Sequence, residues 1–251
     1  MPRFFIKGSQ IQNNKIIIIG EDVNHIKNVI RKQIGDNIEI CNKDNKKSYK
    51  CEITKIEENQ ITTEIIEELI SQEDNIIVDI YQGLPKADKM ELIIQKSVEL
   101  GANAIIPVDM KRCVVKLDSK SEEKKIERWQ KISESAAKQC GRNNIPEVKH
   151  IVSIKDICKL ITNYDAMIVA YENEKENTLK QELTKLKQEN NFNNLKIGIV
   201  IGPEGGLEEN DVKLLKESGA KIITLGNRIL RTETVALNML SIIMYELELE
   251  V

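Results

Sequence analysis

The chain has 251 residues, a net charge of −3, 41% hydrophobic residues and 4% aromatic ones. That length holds one large domain, or a large domain with a small one, and either can bury a core. The slightly acidic balance excludes a polybasic nucleic-acid binder, yet eleven Lys and Arg stand against six Asp and Glu between Met1 and Lys55. Such a basic front end suits RNA phosphates, and equally a plain solvated surface.

In chain order, short apolar runs first alternate with polar turns: KIIIIG (15–20), NIEIC (37–41), YKCEITKIE (49–57) and ITTEIIEEL (61–69). Strands of this length, broken by Gly-Asp and Asn-Lys turns, predict a small β-barrel interrupted by one helix over 22–32. The polar stretch SQEDN (71–75) marks a boundary between a domain at 1–71 and another at 75–251. Strands and helices then alternate. Strands are expected at 76–82, 104–108, 166–172, 196–202 and 221–226. A helix over 86–100 puts Met90, Ile93, Ile94 and Ser97 on one face and stops at Gly101. Ser119 and Glu122 form a capping box before a long helix with a buried stripe of Ile126, Trp129, Ile132, Ala136 and Cys140. Residues 173–194 read as a charged helix and a flexible linker. A last helix starts near Glu233 and follows Val235, Met239, Leu240, Ile243, Met244 and Leu247. The fold class is α/β: a parallel sheet with helices on both faces.

Five cysteines without a CxxC pair predict no disulfide framework. Two histidines without ligand spacing predict no metal. No apolar run spans a bilayer, and MPRFFIKG lacks the apolar centre of a secretion signal. A cytoplasmic protein with no membrane partner is expected.

Two glycine turns carry the chemistry. Ile201-Gly202-Pro203-Glu204-Gly205-Gly206 ends a strand, where open α/β sheets bind ligands. Glycines there admit positive φ and a close ligand. Phosphate is the usual guest at the N-terminus of a following helix. The helix expected from about Leu207, however, carries Glu208, Glu209 and Asp211, which satisfy its dipole and repel phosphate. A neutral or cationic adenosine derivative fits, as does a bare tight turn. The second turn, Leu225-Gly226 followed by Asn227 to Glu233, holds apolar Ile229 and Leu230 that need a cover: a flat ring, a knotted segment or a dimeric neighbour. Thr232 or Thr234 is expected to cap the last helix.

IGPEGG (201–206) followed by LGNRILRTET (225–234) resembles the trefoil-knot (SPOUT) class of methyltransferases. Within it, the chain resembles the bacterial small-subunit ribosomal RNA (uracil-N3)-methyltransferase family, RsmE. The likeness extends over MPRFF, His25-Ile26 to Asp36, Gln82 with Leu84-Pro85-Lys86, Lys89-Met90-Glu91, Arg112 to Lys116, Glu127-Arg128-Trp129, and Gln139 with Arg142 and Ile145-Pro146. Leu207, Val235 and Cys113 depart from residues common in the family. The resemblance implies a trefoil-knotted parallel sheet behind a PUA-like RNA-binding barrel. It also implies S-adenosyl-L-methionine as cofactor, a homodimer, and a uridine of ribosomal RNA, within the assembled small subunit, as substrate.

On that footing the cofactor contacts are Ile201, Gly202, Pro203, Gly205, Gly206, Leu225, Gly226, Ile229, Leu230 and Thr234, with Tyr171 and Glu172 at a neighbouring strand end. Arg231 is assigned to stabilise the developing uracil anion. The alternative for Arg231 is an ion pair with Glu204 or Glu233. Glu204 either accepts the N3 proton or holds its loop by accepting backbone N–H bonds. Arg3, Arg31, Lys86, Arg112, Gln139 and Arg142 are candidates for RNA contact. His25 reads as a capping or packing residue. Two other functions remain open: a knot enzyme acting on ribose 2′-hydroxyls, whose asparagine-rich motif and Asn-Pro turn are missing here, and a non-catalytic ribosome-assembly protein, which would not need the cofactor loop.

Overall fold

A computed structural model describes residues 1–70, 76–189 and 195–247. The expected domain boundary at 71–75, and residues 190–194 of the stretch 173–194 read as a charged helix and a linker, lie outside the described residues. The chain separates into two compact units, Met1–Glu73 with Ala137–Ile145, and Asp74–Ala136 with Pro146–Val251.

The first unit is a curled six-stranded sheet of β1 (Arg3–Ile6), β2 (Ile11–Gln12), β3 (Lys15–Ile19), β4 (Asn37–Asn42), β5 (Ser48–Ile56) and β6 (Gln60–Leu69). Its order is β1-β4-β5-β6-β3-β2, with β1 parallel to β4 and the other pairs antiparallel. Alternation along the strands turns Phe4, Ile16, Ile18, Ile38, Ile40, Ile53 and Ile61 into one core. The expected helix over 22–32 is shorter: α1 (Glu21–Asn24) runs into one π-type turn at His25–Val29. Val23 and Ile26 plug the core from it. His25 lies edge-on to Phe4, with ring centroids 5.8 Å apart.

The second unit holds β7 (Ile76–Gly83), α2 (Lys89–Glu99), β8 (Ala104–Asp109), α3 (Ser119–Cys140, its last turn grouped with the first unit), β9 (Glu147–Val148), β10 (Val152–Ser153), α4 (Ile154–Leu160), β11 (Ala166–Ala170), α5 (Leu179–Glu189), β12 (Leu195–Ile201), α6 (Glu209–Glu217), β13 (Lys221–Ile223) and α7 (Thr232–Leu247). Its sheet is parallel throughout, in the order β10-β8-β7-β12-β11-β13, with β9 beside β8. Ile197, Ile199, Val200 and Ile201 are all buried although successive side chains point to opposite faces. Both faces are therefore covered, which is why this strand reads as an unbroken apolar run. Each fully buried isoleucine contributes roughly 1.5–3 kcal/mol. Helices α2, α5 and α7 pack together, with α7 on β7 and β12, while α4 and α6 form a second pair.

Three local expectations are corrected. Asp118, not Ser119, caps α3: its carboxylate accepts the Ser121 N–H at 2.8 Å, and Glu122 is spent on the Ile151 N–H. Of the expected stripe on α3, Trp129 and Ala136 are buried and Ile126 and Ile132 half-buried, but Cys140 is exposed; Ala137 and Ser133, whose hydroxyl donates to the Pro146 carbonyl, are buried instead. The helix expected from residue 86 starts at Lys89, since Ala87 has φ +52, outside the helical region.

Candidate functional site

Strands β12, β11 and β13 end at one edge, because Val169 stands in register with both Val200 and Ile222. Just past that edge lie Gly202, Tyr171 and Leu225. In the first turn the Gly206 N–H closes onto the Pro203 carbonyl at 2.9 Å, and Gly206 has φ +70. A Cβ on Gly206 would strike the Glu172 carboxylate, and one on Gly202 would lie 3.0 Å from the backbone at Gly206 and Leu207. Arg112 donates to the Gly205 carbonyl at 3.0 Å. Helix α6 begins two residues later than Leu207, with Glu208 at its N-cap and Glu209 and Asp211 in its first turn. Burial, then the neighbouring Glu208, pushes the Asp211 carboxyl up. The start of α6 thus carries three carboxyl groups, with Glu208 paired to Lys111 at 2.6 Å, a charge set that disfavours a phosphate guest.

Glu204 is anchored. Its carboxylate accepts the Lys86 backbone N–H at 3.0 Å and pairs with Lys89 at 3.0 Å. Partial burial alone would raise its pKa. Hydrogen bonds from its own N–H, from Lys89 and from Lys86 outweigh that and hold it below the ordinary carboxylate value. Lys89 also reaches Glu233 at 3.4 Å. Both carboxylates considered as partners for Arg231 are therefore engaged by Lys89. The exposed Arg231 side chain has no hydrogen bond or ion pair among the described residues.

In the second turn Gly226 has φ +103, and its N–H reaches the Thr224 hydroxyl at 3.2 Å. Among the described residues, the backbone N–H groups of 227–230 donate no hydrogen bond within the chain. Four unspent donors beside a half-buried Leu230 suit a ligand edge rich in acceptors, such as adenine. Ile229 is 88% exposed. Neither threonine caps α7. Thr234 is exposed, and the Thr232 hydroxyl donates to the Gly202 carbonyl at 2.7 Å while accepting the Gln82 amide at 2.8 Å. The helix opens instead with the Val235 N–H on the Arg231 carbonyl.

The structure thus gathers Lys86, Arg112, Glu172, residues 201–206 and Thr232 by direct contact. The basic candidates differ in how free they are. Arg3 is spent: its guanidinium binds Glu39 at 2.5 Å, Asn143 at 2.7 Å and the Gly141 carbonyl. Arg142 reaches Asn144 at 3.3 Å. Gln139 and Arg31 are exposed, and Arg31 has φ +53, rare for a bulky residue. Gln82, Gly83, Lys89 and Thr232 touch the first turn or its neighbours, although the sequence reading assigned none of them to the site. A polar Gln at the end of the apolar run IIVDIY was the available signal for the first. Among the described residues no cluster of His, Cys, Asp and Glu could hold a metal ion. No described helix is long and apolar enough to cross a membrane.

Comparison with known proteins matches residues 72–244 to the RNA methyltransferase domain family and residues 18–66 to the RNA methyltransferase PUA domain. Ribosomal RNA small subunit methyltransferase E of Bacillus subtilis is 41% identical, covering 99% of this chain and 98% of its own. The crystal structure of the same-named enzyme from Neisseria gonorrhoeae, bound to S-adenosyl methionine, superposes with a TM-score of 0.83 at 29% identity, over 98% and 97% of the two chains. A structure from Legionella pneumophila in complex with the bound cofactor SAM gives 0.83 at 27% identity, over 97% and 96%.

Proposed function

This chain belongs to the RNA methyltransferase family, and from that premise we propose that it methylates N3 of one uridine in small-subunit ribosomal RNA. S-adenosylmethionine-dependent methylation of small-subunit ribosomal RNA is its activity; the uridine, the atom and the assembled subunit as substrate are our reading. The observation that carries it is the unpaired Arg231 directly after a loop whose backbone N–H groups at 227–230 have no acceptor among the described residues. A guanidinium there suits an anion that develops on a uracil carbonyl better than a ribose hydroxyl. Mass mapping of small-subunit RNA from a strain lacking this gene should find one N3-methyluridine missing, restored on complementation. A missing ribose methyl, or no change, overturns the reading.

When bound, S-adenosylmethionine supplies a methyl group on a sulfonium. The chain's task is alignment and charge. Residues Gly202, Gly205, Gly206, Leu225, Gly226 and Leu230 offer backbone to it, with Ile201, Pro203, Ile229, Tyr171, Glu172 and Thr234 around them. Arg231 stabilises the negative charge that develops on a uracil carbonyl as the N3 proton passes to solvent water. We assign Glu204 to holding the first turn rather than to taking that proton. Glu204→Gln keeps an acceptor for the Lys86 N–H but cannot serve as a base. Its turnover at neutral pH is expected within about tenfold of wild type, the scale of one weakened hydrogen bond. Loss of kcat with cofactor affinity intact would return Glu204 to the role of base.

We also read the protein as a knotted homodimer. The spatial order β7-β12-β11-β13 and the Thr232 tie to Gly202 support the knot. For the dimer, Thr234, Asn238, Ser241 and Tyr245 form an exposed row along the largely apolar α7, and Ile229 beside it is uncovered. Tyr245→Glu is expected to shift a dimer to monomer in sedimentation. A wild-type protein that sediments as a monomer sinks this part.

A further inference from the structure

Gln82 is fully buried at the end of β7. Its amide nitrogen donates to the Gly83 carbonyl at 2.9 Å and to the Thr232 hydroxyl at 2.8 Å. Thr232, itself 6% exposed, donates its hydroxyl hydrogen bond to the Gly202 carbonyl at 2.7 Å. The relay joins three segments far apart in sequence: the end of β7, the first glycine turn and the first residue of α7. It is not a stability device alone. The Gln82 Oε1 is buried with no hydrogen-bond partner, and a buried acceptor without a donor weakens a fold. A leucine would remove that orphan acceptor, and with it the donors to the Gly83 carbonyl and the Thr232 hydroxyl.

The next residue before Thr232 is Arg231, whose side chain nothing in the described chain holds. The next residue after it, Glu233, is tied to Lys89 at 3.4 Å. The backbone at Arg231 is thus fixed from the two positions that follow it, while its guanidinium stays available. We propose that Gln82 and Thr232 are positioning residues for the methyl transfer: their relay locks the Gly202 turn to the start of α7 and so sets Arg231 relative to the cofactor turn. This inference rests on the reading that Arg231 faces the uracil.

The test uses full-length enzyme with small ribosomal subunits from a strain lacking this gene, and reads kcat, cofactor affinity and thermal midpoint together. Thr232→Val removes the hydroxyl at equal volume. Its kcat is expected to fall about tenfold or more, the effect of a lost buried hydrogen bond at a preorganised site. Thr232→Ser, which keeps the hydroxyl, should recover most of that loss. Gln82→Leu should lose kcat comparably, and by more than its change in thermal midpoint accounts for, since the removed orphan acceptor and the lost donors oppose one another in stability. The Gln82→Leu/Thr232→Val double variant should be no worse than Thr232→Val alone, because both break one relay. Wild-type kcat in Thr232→Val overturns the proposal, as do additive losses or a Gln82→Leu enzyme whose activity falls only in step with its stability. An Arg231→Ala enzyme with normal turnover would instead fail the reading beneath it, whatever the relay variants do.

Discussion

Arg231→Ala lowers kcat by at least about two orders of magnitude, the scale of removing one preorganised charge donor. Cofactor affinity, thermal midpoint and oligomeric state stay near wild type. The separation is expected because Arg231 is exposed and makes no ion pair or hydrogen bond among the described residues, so its removal strands no buried partner. Glu204 and Glu233 keep Lys89, and the first turn keeps its anchor. Isothermal titration with S-adenosylhomocysteine beside steady-state methylation of small subunits separates binding from turnover. Near-normal kcat ends the assignment of Arg231. An equal loss in cofactor affinity would move Arg231 from substrate charge to pocket structure. Arg231→Lys restores part of the rate, since a point charge survives without the planar fork.

Gly83→Ala has the second large effect, on cofactor binding and on the fold at once. A Cβ at Gly83 would lie 2.7 Å from the Pro203 backbone nitrogen and 2.9 Å from the Met110 sulfur. The methionine can move aside; the Pro203 backbone, at the centre of the first turn, cannot do so without displacing that turn. Overpacking of this kind costs about 1–3 kcal/mol. The thermal midpoint falls, and S-adenosylhomocysteine affinity drops by about a hundredfold or more, because preorganised backbone groups lose alignment together. Gly226→Ala is the contrast: open space surrounds its Cβ position, and only its φ of +103 is strained. A Gly83→Ala protein that binds S-adenosylhomocysteine normally would show that the turn is not held by this contact.

Much of the fold was legible because local pattern encodes it. The unbroken run KIGIVI reads as a buried parallel strand for the reason found in β12: both faces are covered. The glycine turns were legible because Gly206 and Gly226 do adopt positive φ. The extent of the π-type turn at His25–Val29 was not, since nothing in the apolar spacing distinguishes it from a continued helix. The capping box at Ser119 misled because Asp118 satisfies the same donor set one residue earlier.

By itself the sequence determined roughly where five of the parallel strands run, though not the short β9 and β10, where the two glycine turns break them, and that three carboxylates stand at the start of the following helix. These depend on near neighbours along the chain: apolar period, φ freedom and charge in a first turn. Only the tertiary structure decided which charged side chains are free. Arg3, a candidate RNA contact, is held by Asn143, 140 residues away, and by Glu39. Arg231 could have been an ion-pair residue until Lys89 took both carboxylates. Thr232 looked like a helix cap until Gln82 and Gly202 claimed its hydroxyl. Each outcome turns on a distance between residues far apart in sequence, and spacing along the chain carries no record of such distances.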